Sequence, residues 1–166
     1  MISKDQIAAS MARECDISKH LHTKLTVKSY GYKPTEGQRT TIELLQYLSI
    51  CGIAGIQSLH QSSWKVFGEY RKRSADLKPE EFPAAMDRQK KEIHDYFASI
   101  TEHTLESQDA MLPIGGTQAL GMAILDLPFK WLAAYKMQLF LYAKATGASE
   151  IGTANAWMGI DWKPAP

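Results

Sequence analysis

The sequence predicts an all-α helical bundle. Apolar residues recur at steps of three and four along four separate stretches. No run alternates apolar and polar residues convincingly enough for a strand. Glycine and proline cluster between the stretches, where a chain turns. The 166 residues are 45% hydrophobic and 22% charged, which suits one globular domain with a core large enough to need no disulfide or structural metal. The expected layout is four long helices, an extra short helix or irregular connection, and a C-terminal tail from about residue 148.

The first helix is expected over 4–25, with Ile7, Met11, Cys15, Ser18, His22 and Leu25 on one stripe. Residues 26–40 hold Gly31, Pro34 and Gly37 and read as a loop. Thr40 or Thr41 can cap a second helix reaching about His60. That helix is apolar on both sides, with Leu44, Tyr47, Leu48, Cys51, Gly55 and Leu59 on one face. Ile42, Leu45, Ile53 and Ile56 lie on the other. A helix apolar all round needs cover all round, which predicts a homodimer through Ile42, Leu45, Ile53 and Ile56. Gly52 and Gly55 would let another helix approach closely.

Residues 62–77 carry Trp64, Phe67 and Tyr70, then Arg71, Lys72 and Arg73, and read as a short helix or irregular connection. A third helix is expected from Phe82 to Leu105, with Met86, Gln89, Ile93 and Ile100 on its buried stripe. A break follows at 111–116, then a short helical turn at 117–125. Asp126-Leu127-Pro128 reads as the start of a fourth helix, with proline in the first turn. It carries Trp131, Tyr135, Gln138, Leu139 and Tyr142 and stops at Gly147. The tail, with Trp157, Trp162 and two late prolines, is expected to pack across a bundle end and then fray.

The 19 basic and 18 acidic residues leave a net charge of +1, which gives no electrostatic footprint for nucleic acid or a membrane surface. Aromatics beside Arg71, Lys72 and Arg73 could stack bases, but a packed aromatic face with solvated charges is the simpler reading. The most apolar stretch, 44–56, is too short to span a bilayer. Cys15 and Cys51 fit no metal spacing and read as free thiols of a reducing cytoplasm. There is no nucleophile elbow and no phosphate loop.

Two segments carry a resemblance. Thr41 to Leu48 reads TIELLQYL, and Trp131 to Gly147 reads WLAAYKMQLFLYAKATG. Together they resemble the DinB-like superfamily of four-helix bundles, whose members often read LLxHL in helix two and HxxxHRGQ…YLxxxG in the last helix. The resemblance implies a homodimeric bundle holding a divalent metal, often nickel or zinc, on three histidines. It also implies thiol transfer, hydrolysis or isomerisation as activities. Here the three ligand positions are Tyr47, Trp131 and Tyr135, and Lys136 replaces an arginine, while Gln138 and Gly147 keep the family letters. Tyrosine and tryptophan are poor ligands for ions that imidazole suits. The expectation is a DinB-like fold with no metal and no cofactor.

The same positions suggest a pocket in which Tyr47, Trp131, Tyr135 and Gln138 converge, with Cys51 one turn from Tyr47 and His22 nearby. The rings either line a cavity or close the core. Three functions stand side by side. The favoured one is a dimeric binding or structural module. The others are a metal-dependent transferase or hydrolase using other ligands, and a metal-free enzyme using Tyr47, Tyr135 or His22 as acid–base groups.

Overall fold

The structure is a computed structural model that describes residues 3–162. The first helix, α1, runs Lys4–His22, with Ser3 and Gln6 forming a reciprocal capping box. A loop containing a single 3₁₀ turn, Val27–Ser29, leads to α2, Thr41–Leu48. The Thr40 side chain accepts from the Glu43 amide, so the expected cap is in place.

The expected second helix is two helices. After α2 the chain leaves helical geometry at Ile50, and α3 runs Cys51–His60, bent by 44° from α2. Such a break frees Leu48 O and the first amides of α3. Gln89, from a different helix, serves both sides. Its Nε2 donates to Leu48 O at 3.0 Å, and its Oε1 accepts from Gly52 N at 2.9 Å and Ile53 N at 3.3 Å.

Helix α4, Lys65–Ser74, fills the stretch left open between helix and connection. The next helix, α5, spans Phe82–Ser99 and is shorter than expected. Ile100 is extended, and Thr101 caps a separate α6, Glu102–Ser107. A small antiparallel hairpin follows, which the sequence did not announce: β1, Asp109–Met111, pairs with β2, Thr117–Ala119. Strands of three residues are too short for alternation to register, and the turn is carried by Gly115 and Gly116 at φ +90° and +83°.

The last bundle helix begins before Pro128. A short α7, Leu120–Ile124, continues through one π-helical turn, Leu125–Phe129, into α8, Lys130–Ala145. Pro128 therefore sits inside the π turn, where the widened hydrogen-bond ring tolerates its missing N–H. Asp126, expected to start and cap this helix, lies inside it and accepts from Lys130 and Gln118 instead. Gly147, at φ +134°, ends the helix as expected. In the tail, α9, Thr153–Met158, packs on α1 and α8. The two late prolines lie outside the described residues.

The bundle is α1, the bent α2–α3 pair, α5 and α7–α8, with α1 packed between α5 and α8. The outer face of α2–α3 is covered by α4. Leu45, Ile53 and Ile56 are buried within the one chain, and of the four expected dimer contacts only Ile42 keeps partial exposure. That face is apolar because α4 and the bundle occupy it. No single helix among the described residues is long and apolar enough to cross a membrane; α2 and α3 reach that length and composition only together, across their bend.

Candidate functional site

Three helical stripes and one loop meet on the same side of the bundle. Helix α2 contributes Glu43 and Tyr47, one turn apart. Helix α4 contributes Phe67 and Arg71, with Trp64 just before its start. Helix α8 contributes Trp131, Tyr135 and Gln138. Each set follows the spacing that puts residues on one helix face.

Tyr47 and Tyr135 meet edge to face, with ring centroids 4.8 Å apart. Phe67 lies 5.9 Å from Tyr47 and 5.8 Å from Trp131, and Trp64 lies 6.2 Å from Trp131. These are separations at which aromatic pairs attract. The Trp131 ring rests on Gly55, where a Cβ would come within 2.9 Å of it. At Gly52 a Cβ would come within 2.8 Å of Leu132. Both glycines thus serve the close approach expected of them. Trp64 is held from the other side, its indole N–H donating to Met111 O of β1 at 3.2 Å. The rings form a continuous floor.

Above the floor lies Arg39. Its guanidinium carbon is 4.2 Å from the Tyr47 ring centroid and 5.2 Å from that of Tyr135. The loop carrying it is fixed by a relay. Gln138 Nε2 donates to the Tyr142 hydroxyl at 2.6 Å, and that hydroxyl donates to Arg39 O at 3.0 Å. Gln138 therefore acts through Arg39 as much as through its own surface. Gln46 donates to Ala75 O at 2.8 Å, tying the end of α4 to α2.

The floor and its rim shape three adjoining clefts. One of about 380 Å³ lies between Arg39, Glu43, Tyr47 and Arg71. A second, of about 480 Å³, is bounded by Gly37, Arg39, Glu43 and Gln138. The third, of about 310 Å³, lies over Trp64, Phe67 and Trp131, with Tyr47 and Arg71 at its edge. Arg39 lines two of them, and Arg71 lines two.

Electrostatics separate the candidates. Burial pushes the Tyr47 phenol well above its usual range, with Cys51 and Tyr135 adding to the rise and Arg39 and Arg71 opposing it. Burial also pushes the Cys51 thiol up, and Cys15 with it to about 12. Cys51 is fully buried beneath Tyr47 and gives its proton toward Leu48 O. It is an inert core thiol by position. His22 stands apart. It packs on Phe82 with ring centroids 5.3 Å apart, and burial lowers its pKa. Among the described residues, no ring contact or hydrogen bond joins it to Tyr47, Trp131 or Tyr135.

Of the residues expected to converge, Tyr47 meets Tyr135, Trp131 joins them through Phe67, and Gln138 reaches the cleft rim; Arg39 was not expected there, and Arg71 had only a place in a solvated basic run. A signal existed for both. Arg39, Glu43 and Tyr47 are each four apart, as are Phe67 and Arg71.

Among the described residues, no three His, Cys, Asp or Glu side chains are placed to share a metal ion. Of the three residues that the sequence resemblance aligned with histidines, Tyr47 and Tyr135 pack ring against ring, and Trp131 packs on Phe67 and Trp64. This donor set does not fit a zinc or nickel ion.

No protein-family model matches the chain, and no curated protein matches it. One solved structure to which it is similar is a DinB-like protein, YjoA, from Bacillus subtilis. The two share 15% identity with a TM-score of 0.68, over 86% of this chain and 92% of that one. The fold is therefore that of a DinB-like protein.

Proposed function

We propose that this DinB-like bundle is a metal-free small-molecule-binding module, with its ligand held over the aromatic floor between Arg39, Tyr47 and Arg71. The observation that carries the reading is the set of adjoining clefts built on one floor by α2, α4, α8 and the Arg39 loop. Their sizes suit small ligands, and an aromatic surface with a few fixed polar groups is the usual composition of such sites. The ring packing supports a plug in place of the family metal. Tyr47 holds its proton too firmly to serve as a base at neutral pH, which weighs against an acid–base enzyme centred there. Two buried free thiols suit a reducing compartment such as the cytoplasm.

The test is a fragment survey by protein-observed NMR, following the indole N–H signals of Trp64 and Trp131. Fragments that shift these two signals and leave those of Trp157 and Trp162 in place support the module. A diverse fragment set that moves neither Trp64 nor Trp131 overturns it. Native mass spectrometry of the same sample reads subunit number and bound metal. A stoichiometric metal whose removal abolishes an activity would restore the transferase or hydrolase reading. A dimer would have to form without Leu45, Ile53 and Ile56, which one chain already buries.

A further inference from the structure

The chemistry of the rim narrows the class of ligand. This step rests on the binding-module reading and names what the same site would take. Arg39 and Arg71 face the cleft that contains the Tyr47 edge, and neither side chain has an ion-pair or hydrogen-bond partner among the described residues. Arg13 and Arg88 are also without a side-chain partner among the described residues, but neither borders these clefts. Arg73, two residues after Arg71, has both its terminal nitrogens on Glu92, at 2.7 and 2.9 Å. The one acid lining the same cleft is Glu43. Its Oε2 is already engaged by Thr40, accepting from the amide at 2.7 Å and the hydroxyl at 3.0 Å.

Arg39 is held in a way that leaves one kind of contact open. Its guanidinium carbon sits over two tyrosine rings, which hold the group at the cleft. Its N–H donors, without a protein partner among the described residues, match two oxygens of a carboxylate or phosphate. Its backbone is fixed by the Gln138–Tyr142 relay, so little ordering is left to do when a ligand arrives. On the far side of Tyr47 and Arg71 the floor turns apolar, with Trp64, Phe67 and Trp131 under an open cleft. A single molecule crossing the Tyr47 edge would therefore meet cationic donors at one end and flat aromatic carbon at the other.

We infer that the site takes an aromatic oxyanion: a carboxylate or phosphate seated between Arg39 and Arg71, joined to a flat apolar group that lies on Trp64, Phe67 and Trp131.

Two probes of one shape test this, 1-naphthoate and the neutral 1-naphthalenemethanol, titrated against the full chain with the Trp64 and Trp131 indole signals as readout. The carboxylate should bind more tightly than the alcohol, and added salt should weaken it alone. Arg39→Gln and Arg71→Gln should each weaken naphthoate by about tenfold, the size of one charge-assisted hydrogen bond, and leave the alcohol unchanged. Arg73→Gln, next to the site but paired elsewhere, should change neither. Thermal melts of the variants check that they fold. Equal binding of acid and alcohol, unaffected by either arginine change, overturns the oxyanion and leaves the module standing. Absence of saturable binding by both probes also overturns it, while the fragment survey separately decides whether the cleft binds anything.

Phosphate and carboxylate are distinguished by 1-naphthyl phosphate in the same titration. Tighter binding than naphthoate assigns the phosphate, weaker binding the carboxylate. Either result keeps the class.

Discussion

Lys136 has no exposed side-chain surface, yet it carries an ammonium group. Its Nζ lies 2.8 Å from Glu14 Oε2 of α1 and 4.5 Å from the centre of the Trp157 ring of α9. The pair is close, but neither atom has an aligned hydrogen-bond partner among the described residues. A buried pair of this kind contributes little beyond its own desolvation, whereas removing one member strands the other. Glu14→Gln should therefore cost about 3 kcal/mol in urea unfolding, and the double variant Glu14→Gln, Lys136→Met should regain most of it. A double variant as unstable as the single one would mean that the pair itself holds the fold. The burial of Lys136 was not legible, because the half-buried stripe of Trp131, Tyr135 and Gln138 looks more apolar than the fully buried one. That stripe runs Leu132, Lys136, Leu139 and Ala143, and a lysine in its middle disguises it.

Between elements, the bend of α2–α3 depends on a side chain from α5. Gln89 is fully buried and spends its amide on both sides of the break. Gln89→Leu keeps the volume and orphans Leu48 O with two amides. A loss of about 2–4 kcal/mol is expected, read as a lower urea midpoint. Gly55→Ala would press a methyl group onto Pro128 and Trp131. It should cost about 1–3 kcal/mol and shift the Trp131 indole signal. Ile53→Lys places a charge in the core, where it should unfold the chain instead of freeing a surface; far-ultraviolet circular dichroism distinguishes the two. The long helices were legible from apolar spacing, and so were the caps at Thr40 and Gly147, whereas the three-residue strands of the hairpin were not. The bend was not, because nothing local interrupts the apolar run. The polar Gln89 on an otherwise apolar stripe was the one visible trace of it.

Across the whole molecule, the C-terminal segment is stitched to α1 by a polar cluster. Asn155 donates to Asp161 at 2.8 Å and lies 3.0 Å from His20 Nε2, while Lys24 reaches Asp161 at 2.7 Å. Burial, followed by the charge of Lys24, lowers the His20 pKa below its ordinary 6.5, and burial lowers that of His22. Protonation therefore favours the unfolded chain. The contribution of both groups is complete above about pH 6.5 and is lost as the pH falls toward their folded values. Melting temperature should drop between pH 7 and pH 5, and His22→Gln should flatten part of that slope. A melting temperature that rises on acidification would contradict it. The four-helix layout was readable at this scale because it needs only periodicity and breaks. The convergence of Arg39 with Arg71 was not, because it joins a loop to a helix through three-dimensional packing.

The π turn at Leu125–Phe129 has a genetic corollary. A wider turn holds an additional residue without lengthening the bundle, so it acts as an insertion absorbed in place. Removing one residue there would turn everything downstream by about 100° about the helix axis. Trp131, Tyr135 and Gln138 would swing off the floor together while the helix itself survived. A single codon gained or lost at this position could thus exchange one set of side chains facing α2 for another, so the cleft's chemistry would change by phase instead of by substitution.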